Sequence, residues 1–122
     1  RFAETGSSNQ AVRNLATLSG EEGIRVIDSA ALRVEGNSVY DNSGDGIFVA
    51  EQDTGGTVLR RNTTNHNGDD GIDADSTLLT IERNTVERNN DLGIEAVPGV
   101  RDGGGNTARL NGNAAQCAGV RC

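Results

Sequence analysis

Residues 68–75 read Gly68-Asp69-Asp70-Gly71-Ile72-Asp73-Ala74-Asp75, which gathers four carboxylates within eight positions. Related acids recur nearby: Asp45 precedes Gly46-Ile47, Asp91 stands two residues before Gly93-Ile94, and Glu95 follows it. Clustered carboxylates support two chemistries. About six to eight oxygens at flexible geometry hold Ca²⁺, for which Asp69, Asp70, Asp73 and Glu95 are the candidate ligands. A pair of carboxyls about 5 Å apart can act as acid and nucleophile on a glycoside, for which Asp73, Asp75 and Glu95 are the candidates. The plainer alternative is a solvated acidic bend that resists aggregation.

Whether these side chains meet depends on the elements that carry them, and the chain repeats itself. Asn14, Asn37, Asn62, Asn84 and Asn106 each open a segment, at intervals of 23, 25, 22 and 22 residues. Five residues after each stand Ser19, Asn42, Asn67, Asn89 and Asn111. Gly23-Ile24, Gly46-Ile47, Gly71-Ile72 and Gly93-Ile94 follow, each with Val or Ala two residues past the Ile. A fixed period of this length marks a stacked repeat.

Alternation at period two marks strands within each unit. Ile24 and Val26 share a face, as do Leu32 and Val34 further along, and a third stretch carries Ala16, Val39, Thr64, Val86 and Ala108. Three short strands and three bends fill each unit, and nothing shows helical periodicity. The expected fold is all-β: a parallel β-solenoid of about five three-stranded coils, stacked at roughly 4.8 Å. The boundaries expected are an N-terminal arm or incomplete coil at 1–13, repeats at 14–113 and a C-terminal cap at 114–122, all in one domain. Gly before Ile relieves crowding, while Asn tolerates a left-handed bend and can bond to the Asn above it.

Stacking predicts which residues meet. Asp73 has Glu95 one coil above and Phe48 one coil below; Arg25 lies further down the same column. Opposite charges should meet in the columns Glu35–Arg60–Glu82 and Glu87–Arg109, and in Asp41–His66–Arg88. His66, the lone histidine, has no nucleophile partner in this frame and is expected in solvent. A column of Ser38, Thr63, Thr85 and Thr107 has as its neighbour Gly36, Arg61, Arg83 and Gly105, which does not suit an ice-binding face.

Asn, four residues, Asn, three residues, Gly-Ile-x-Val resembles the right-handed parallel β-helix repeat of the pectate-lyase-like superfamily, from about Asn14 to Asn111. The ending Asn111-Gly112-Asn113, Gln116-Cys117 and Val120-Arg121-Cys122 looks like that of secreted bacterial members. The resemblance implies the fold and leaves function open, since its members include lyases, hydrolases, epimerases, adhesins and phage spikes. Gly68-Asp69-Asp70-Gly71-Ile72-Asp73 resembles one fragment of the polygalacturonase-type signatures, without the accompanying His and Arg-Lys motifs. The Lys or Arg base of a lyase, facing the acids, has no counterpart in the adjacent coils.

A net charge of −7 argues against nucleic acid and anionic membranes as partners. No apolar run reaches the length of a membrane span, and no signal-peptide pattern is present. With Arg1 first and no Met, the chain is read as a processed form or an excised segment. Cys117 and Cys122 lack the further ligands of a zinc knuckle. A short terminal disulfide would place the protein in an oxidising compartment, secreted or at the cell surface; two buried thiols are the alternative. Few apolar residues, Phe2 among them, precede the first repeat, so self-association through coil ends, head-to-tail, is expected to cover that end. The reading reached is a non-catalytic extracellular module with a structural, adhesive or self-assembling role and no required cofactor. Its alternative is a polysaccharide-acting enzyme or Ca²⁺-dependent glycan-binding module, or the C-terminal part of one.

Overall fold

The computed structural model describes residues 10–27, 31–51 and 55–122, and the backbone of residues 2 and 3. The expected Phe2 plug, residues 1 and 4–9 of the arm, and most of an irregular stretch at 52–56 lie outside the described residues. Sixteen strands follow in chain order, with no helix among the described residues. The first coil is β1 (Phe2–Ala3), β2 (Gln10–Val12) and β3 (Leu15–Thr17); the second is β4 (Ile24–Ile27), β5 (Arg33–Glu35) and β6 (Ser38–Tyr40). The third is β7 (Ile47–Val49), β8 (Thr57–Arg60) and β9 (Thr63–Asn65). The fourth is β10 (Ile72–Ala74), β11 (Leu79–Glu82) and β12 (Thr85–Glu87). The fifth is β13 (Ile94–Ala96), β14 (Arg101–Gly104) and β15 (Thr107–Arg109), and β16 (Cys117–Ala118) begins another turn.

Each strand pairs in parallel with its equivalent one coil away, giving three sheets of six, five and five strands. Ile24, Ile47, Ile72 and Ile94 form one interior column in continuous register, 0–6 % exposed. Val34, Leu59 and Ile81 line the second sheet, and Val39, Thr64 and Val86 the third. Short branched side chains suffice because parallel strands on three sides leave a narrow interior, and each fully buried Ile or Leu contributes about 1.5–3 kcal/mol. Gly71 shows how tight the coils are. A Cβ there would lie 2.5 Å from Thr64 Oγ1 and 2.6 Å from Gly93 O.

The asparagines form two ladders inside the bends. Asn37 donates its backbone N–H and Nδ2 to Asn62 Oδ1 at 3.1 and 2.9 Å, and Nδ2 also donates to Ala11 O at 2.8 Å. The pattern repeats from Asn62 to Asn84 and from Asn84 to Asn106. The second ladder climbs from Asn42 through Asn67 and Asn89 to Asn111. Gln116 supplies its last rung, accepting from Asn111 N and Nδ2 at 3.1 and 2.9 Å.

The left-handed backbone falls elsewhere than expected. It belongs to the residue before each ladder position: Arg13, Gly36, Arg61, Arg83 and Gly105 ahead of the first, and Leu18, Asp41, His66, Arg88 and Leu110 ahead of the second. The turn swings the next side chain inward, so Asn is selected for burial and hydrogen bonding rather than for its own φ. This also corrects the charge column Asp41–His66–Arg88. At these corners the side chains are exposed, and no ion pair joins them; Arg88 pairs with Glu87, and His66 Nδ1 with Asn65 Oδ1. On the strands, where the register holds side chains side by side, the expected pairs form. Arg60 Nε lies 3.5 Å from Glu35 Oε1 and 3.7 Å from Glu82 Oε1, and Arg109 Nε 2.6 Å from Glu87 Oε1.

The C-terminal segment continues the solenoid before leaving it. β16 pairs with β13, placing Cys117 over Ile94. Cys117 and Cys122 form a disulfide, Val120 packs against the core, and the Arg121 N–H donates to Asp102 Oδ2 at 2.8 Å.

Candidate acidic site

The bend from the third sheet back to the first brings the acids together. Three residues beyond Asn42 and Asn67 in the ladder stand Asp45 and Asp70, each just before the Gly-Ile that opens the next strand. Asp45 Oδ1 accepts the Asp70 N–H at 3.0 Å, and Asp70 Oδ1 accepts the Leu92 N–H at 2.7 Å. A carboxylate column thus runs beside an amide one. The β10 alternation turns Asp73 outward beside it, in register with Glu95 above and Phe48 below. The Arg25 guanidinium sits 5.8 Å from the Phe48 ring centroid and 3.9 Å from Glu21 Oε2.

Two groups share one residue. Asp45, Asp70 and Asp73 present oxygens within 4.8 Å of one another, and so do Asp69, Asp70 and Asp91. Asp70 is 2 % exposed, Asp45 and Asp73 are half-buried, and Asp69 and Asp91 face solvent. Burial therefore falls on charges that also repel. Desolvation, then the Asp75 charge, pushes Asp73 up to about 7. Burial raises Asp45 to about 6 against the Asp70 N–H that lowers it. Asp70 is driven well above the ordinary carboxylate range, first by burial and then by a side-chain hydrogen bond with Glu95. Close to neutral pH such a cluster holds protons or takes up a cation.

Residues 2–119 match the family model described as a right-handed β-helix region, and the coils, register and parallel sheets above are what that description requires. The chain belongs to the right-handed β-helix family. No curated protein and no solved structure matches this β-helix protein.

On this β-helix the expected site residues are neighbours, grouped differently from the expected ligand set. Asp69 and Asp73 fall into separate groups joined by Asp70, and Glu95 reaches the cluster through Asp70. Asp75 is exposed beyond Asp73 and acts on it through charge. Asp45 and Asp91 complete the groups. A signal for Asp45 lay in the repeat frame, where Asp45-Gly46-Ile47 and Asp70-Gly71-Ile72 are the same motif one coil apart.

Proposed function

We propose that this β-helix protein is a non-catalytic module working outside the cell, a stiff structural or adhesive scaffold. The observation that carries this reading is the pair of asparagine ladders. They tie coil to coil along the molecule and account for eight of the twelve buried polar residues among the described ones. The Cys117–Cys122 disulfide supports an oxidising surrounding. Head-to-tail stacking of coils would have to displace a tail whose Val120 packs on the core and whose Arg121 bonds to Asp102, so lateral faces are the better surfaces for partners. The test is turnover: incubation with acidic and neutral polysaccharides should release no new reducing ends or unsaturated products. Product formation that Asp73→Asn or Glu95→Gln abolishes would replace the scaffold with an enzyme.

A second reading, favoured by the carboxylate groups, is Ca²⁺ binding at Asp45, Asp70 and Asp73, with Glu95 and Asp69 at its margins. The donors suit a hard cation: Asp45 and Asp70 each retain an oxygen beyond the one bonded to a backbone N–H. The protein supplies fewer than the about six to eight oxygens Ca²⁺ takes, so water or the carboxylates and hydroxyls of a glycan would complete the shell. Because a ligand bound only by the native state stabilises it, Ca²⁺ should raise the unfolding temperature and excess EDTA lower it. An unchanged melting curve under both leaves a solvated acidic face.

A further inference from the structure

Two corner columns whose charged members are all exposed flank the third sheet, and their charges match coil by coil. Before the first asparagine ladder the column reads Arg13, Gly36, Arg61, Arg83, Gly105. Eight residues further in each coil, past the third-sheet strand, it reads Glu21, Gly44, Asp69, Asp91, Asn113. Backbone hydrogen bonds stack the second column residue on residue: Gly44 N to Glu21 O, Asp69 N to Gly44 O, Asp91 N to Asp69 O, and Asn113 N to Asp91 O. The first is held by the same left-handed turn repeated in every coil. One column is therefore positive, neutral, positive, positive, neutral, and the other negative, neutral, negative, negative, neutral.

Among the described residues nothing uses this match. A strand lies between the columns in every coil, and among the described residues no ion pair joins their members. Arg61 leans on Glu35 at 3.3 Å while its side chain stays 51 % exposed, and Glu21 reaches Arg25 at 3.9 Å while 79 % exposed. Arg13 and Arg83 make no ion pair among the described residues. The charges stand outward on a rigid frame, at the same coil spacing on both corners.

We propose that the two columns are the halves of a lateral contact between copies of this chain, the arginine corner of one lying along the acidic corner of the next. Orientation follows from the pattern. With axes parallel and coils level, Arg13 meets Glu21, Arg61 meets Asp69, Arg83 meets Asp91, and Gly36 faces Gly44 where the backbones can approach closely. With axes antiparallel and coils level, only Arg61 and Asp69 meet and every other charge faces a neutral residue; a one-coil offset makes two pairs, still fewer than the three of the parallel arrangement. The two surfaces are different, so the contact is heterologous; it grows into a ring if the rotation between copies closes and into a ribbon if it does not. A second copy is a better occupant than a free polyanion, because the partner pattern is written on the same molecule in the same order. Each copy carries −7 overall, so association belongs to moderate salt. There a screening length of about 10 Å damps the repulsion between distant parts and spares ion pairs in contact.

This proposal deepens the structural reading and is tested apart from it, since turnover assays are blind to it. Sedimentation velocity of the 122-residue chain at about 0.1 M salt should show concentration-dependent species larger than the monomer, lost at about 1 M, where screening reaches about 3 Å. Arg61→Glu/Arg83→Glu makes both corners mainly acidic, and Asp69→Arg/Asp91→Arg makes both mainly basic. Each alone should remain monomeric, whereas their equimolar mixture should associate again, because each variant's corners then face opposite charges on the other. If either variant fails to fold by circular dichroism, Arg83→Gln and Asp91→Asn replace them, and each should weaken association severalfold. A wild-type chain monomeric at every concentration and salt, association that survives 1 M salt, or variants that associate like the wild type would each overturn the lateral contact.

Discussion

The asparagine columns and the aspartate column meet the same requirement with different atoms. Each must place a side-chain oxygen where a neighbouring coil offers a backbone N–H inside a bend. Asn62 Oδ1 takes the N–H of Asn37 from the coil before, and Asp45 Oδ1 takes the N–H of Asp70 from the coil after. The amide also carries two N–H donors. Asn62 uses its Nδ2 on Asn84 Oδ1 and on Val34 O, at 3.0 and 2.9 Å, so its hydrogen-bonding capacity is closed within the fold. A carboxylate has no such donor. Asp45 and Asp70 keep lone pairs to spare and repel each other and Glu95, and Asp45 also repels Asp73. One atom's difference per rung separates a finished structural column from one that still asks for a proton or a cation.

The comparison can be broken most severely at the amide column. Asn62→Ala removes the acceptor for two Asn37 donors and the donor to Val34 O, all in a dry interior. At about 1–3 kcal/mol for each buried group left unsatisfied, the variant should lose about 3–6 kcal/mol, measured by urea denaturation. A loss under about 1 kcal/mol would mean that water replaces the ladder freely.

At the aspartate column the expected sign is different. Asp45 and Asp73 hold their protons up to about 6 and about 7, against 3.8 for the free side chain. Between about pH 4 and 7 the native state therefore binds more protons than the unfolded chain, so stability falls as pH rises and levels off above the folded values. In calcium-free buffer the melting temperature should drop from pH 5 to pH 8. Asp70→Asn should flatten that drop and stabilise the protein at pH 8, by on the order of 1–2 kcal/mol. A melting temperature that climbs over this range would contradict the assignment of raised carboxyls.

The smallest effect sharpens the contrast between paired and unpaired polarity. Thr64 stands in the column of Val39 and Val86, fully buried, and its Oγ1 has no hydrogen-bond partner. Thr64→Val keeps the shape and removes the stranded hydroxyl, which should raise stability by about 1 kcal/mol, read from the same denaturation curves.

Much of this was legible in the sequence, and the reason is the period. Once Ile24, Ile47, Ile72 and Ile94 are placed one above another, the strand faces follow from alternation, and with them the pairs Glu35–Arg60–Glu82 and Glu87–Arg109. The disulfide was legible too, as one of two alternatives. The corners were not. Membership of a column says which residues stack but not where a side chain points when the backbone turns left-handed, so Asp41, His66 and Arg88 align without pairing. The acids were legible as a neighbourhood and misgrouped in detail. Register relates Asp73 to Glu95, whereas the approach of Asp45 and Asp73 to Asp70 depends on how the bend folds.

Gln116 gives the molecule an address for growth. Its side chain, one methylene longer than asparagine, closes the second ladder by donating Nε2 to Asn111 O and Asn113 O at 3.2 and 2.6 Å, leaving no amide to receive another rung. A further rung is therefore blocked at Gln116, whereas the junctions between coils stay open to repeat duplication. A copied block such as 62–83 would re-enter with its asparagines, glycine and isoleucine in phase, adding one coil and roughly 4.8 Å, while Gln116 and the Cys117–Cys122 disulfide ride outward unchanged. The fold behaves as a ruler whose graduations can be inserted between rungs, with one ladder closed at Gln116.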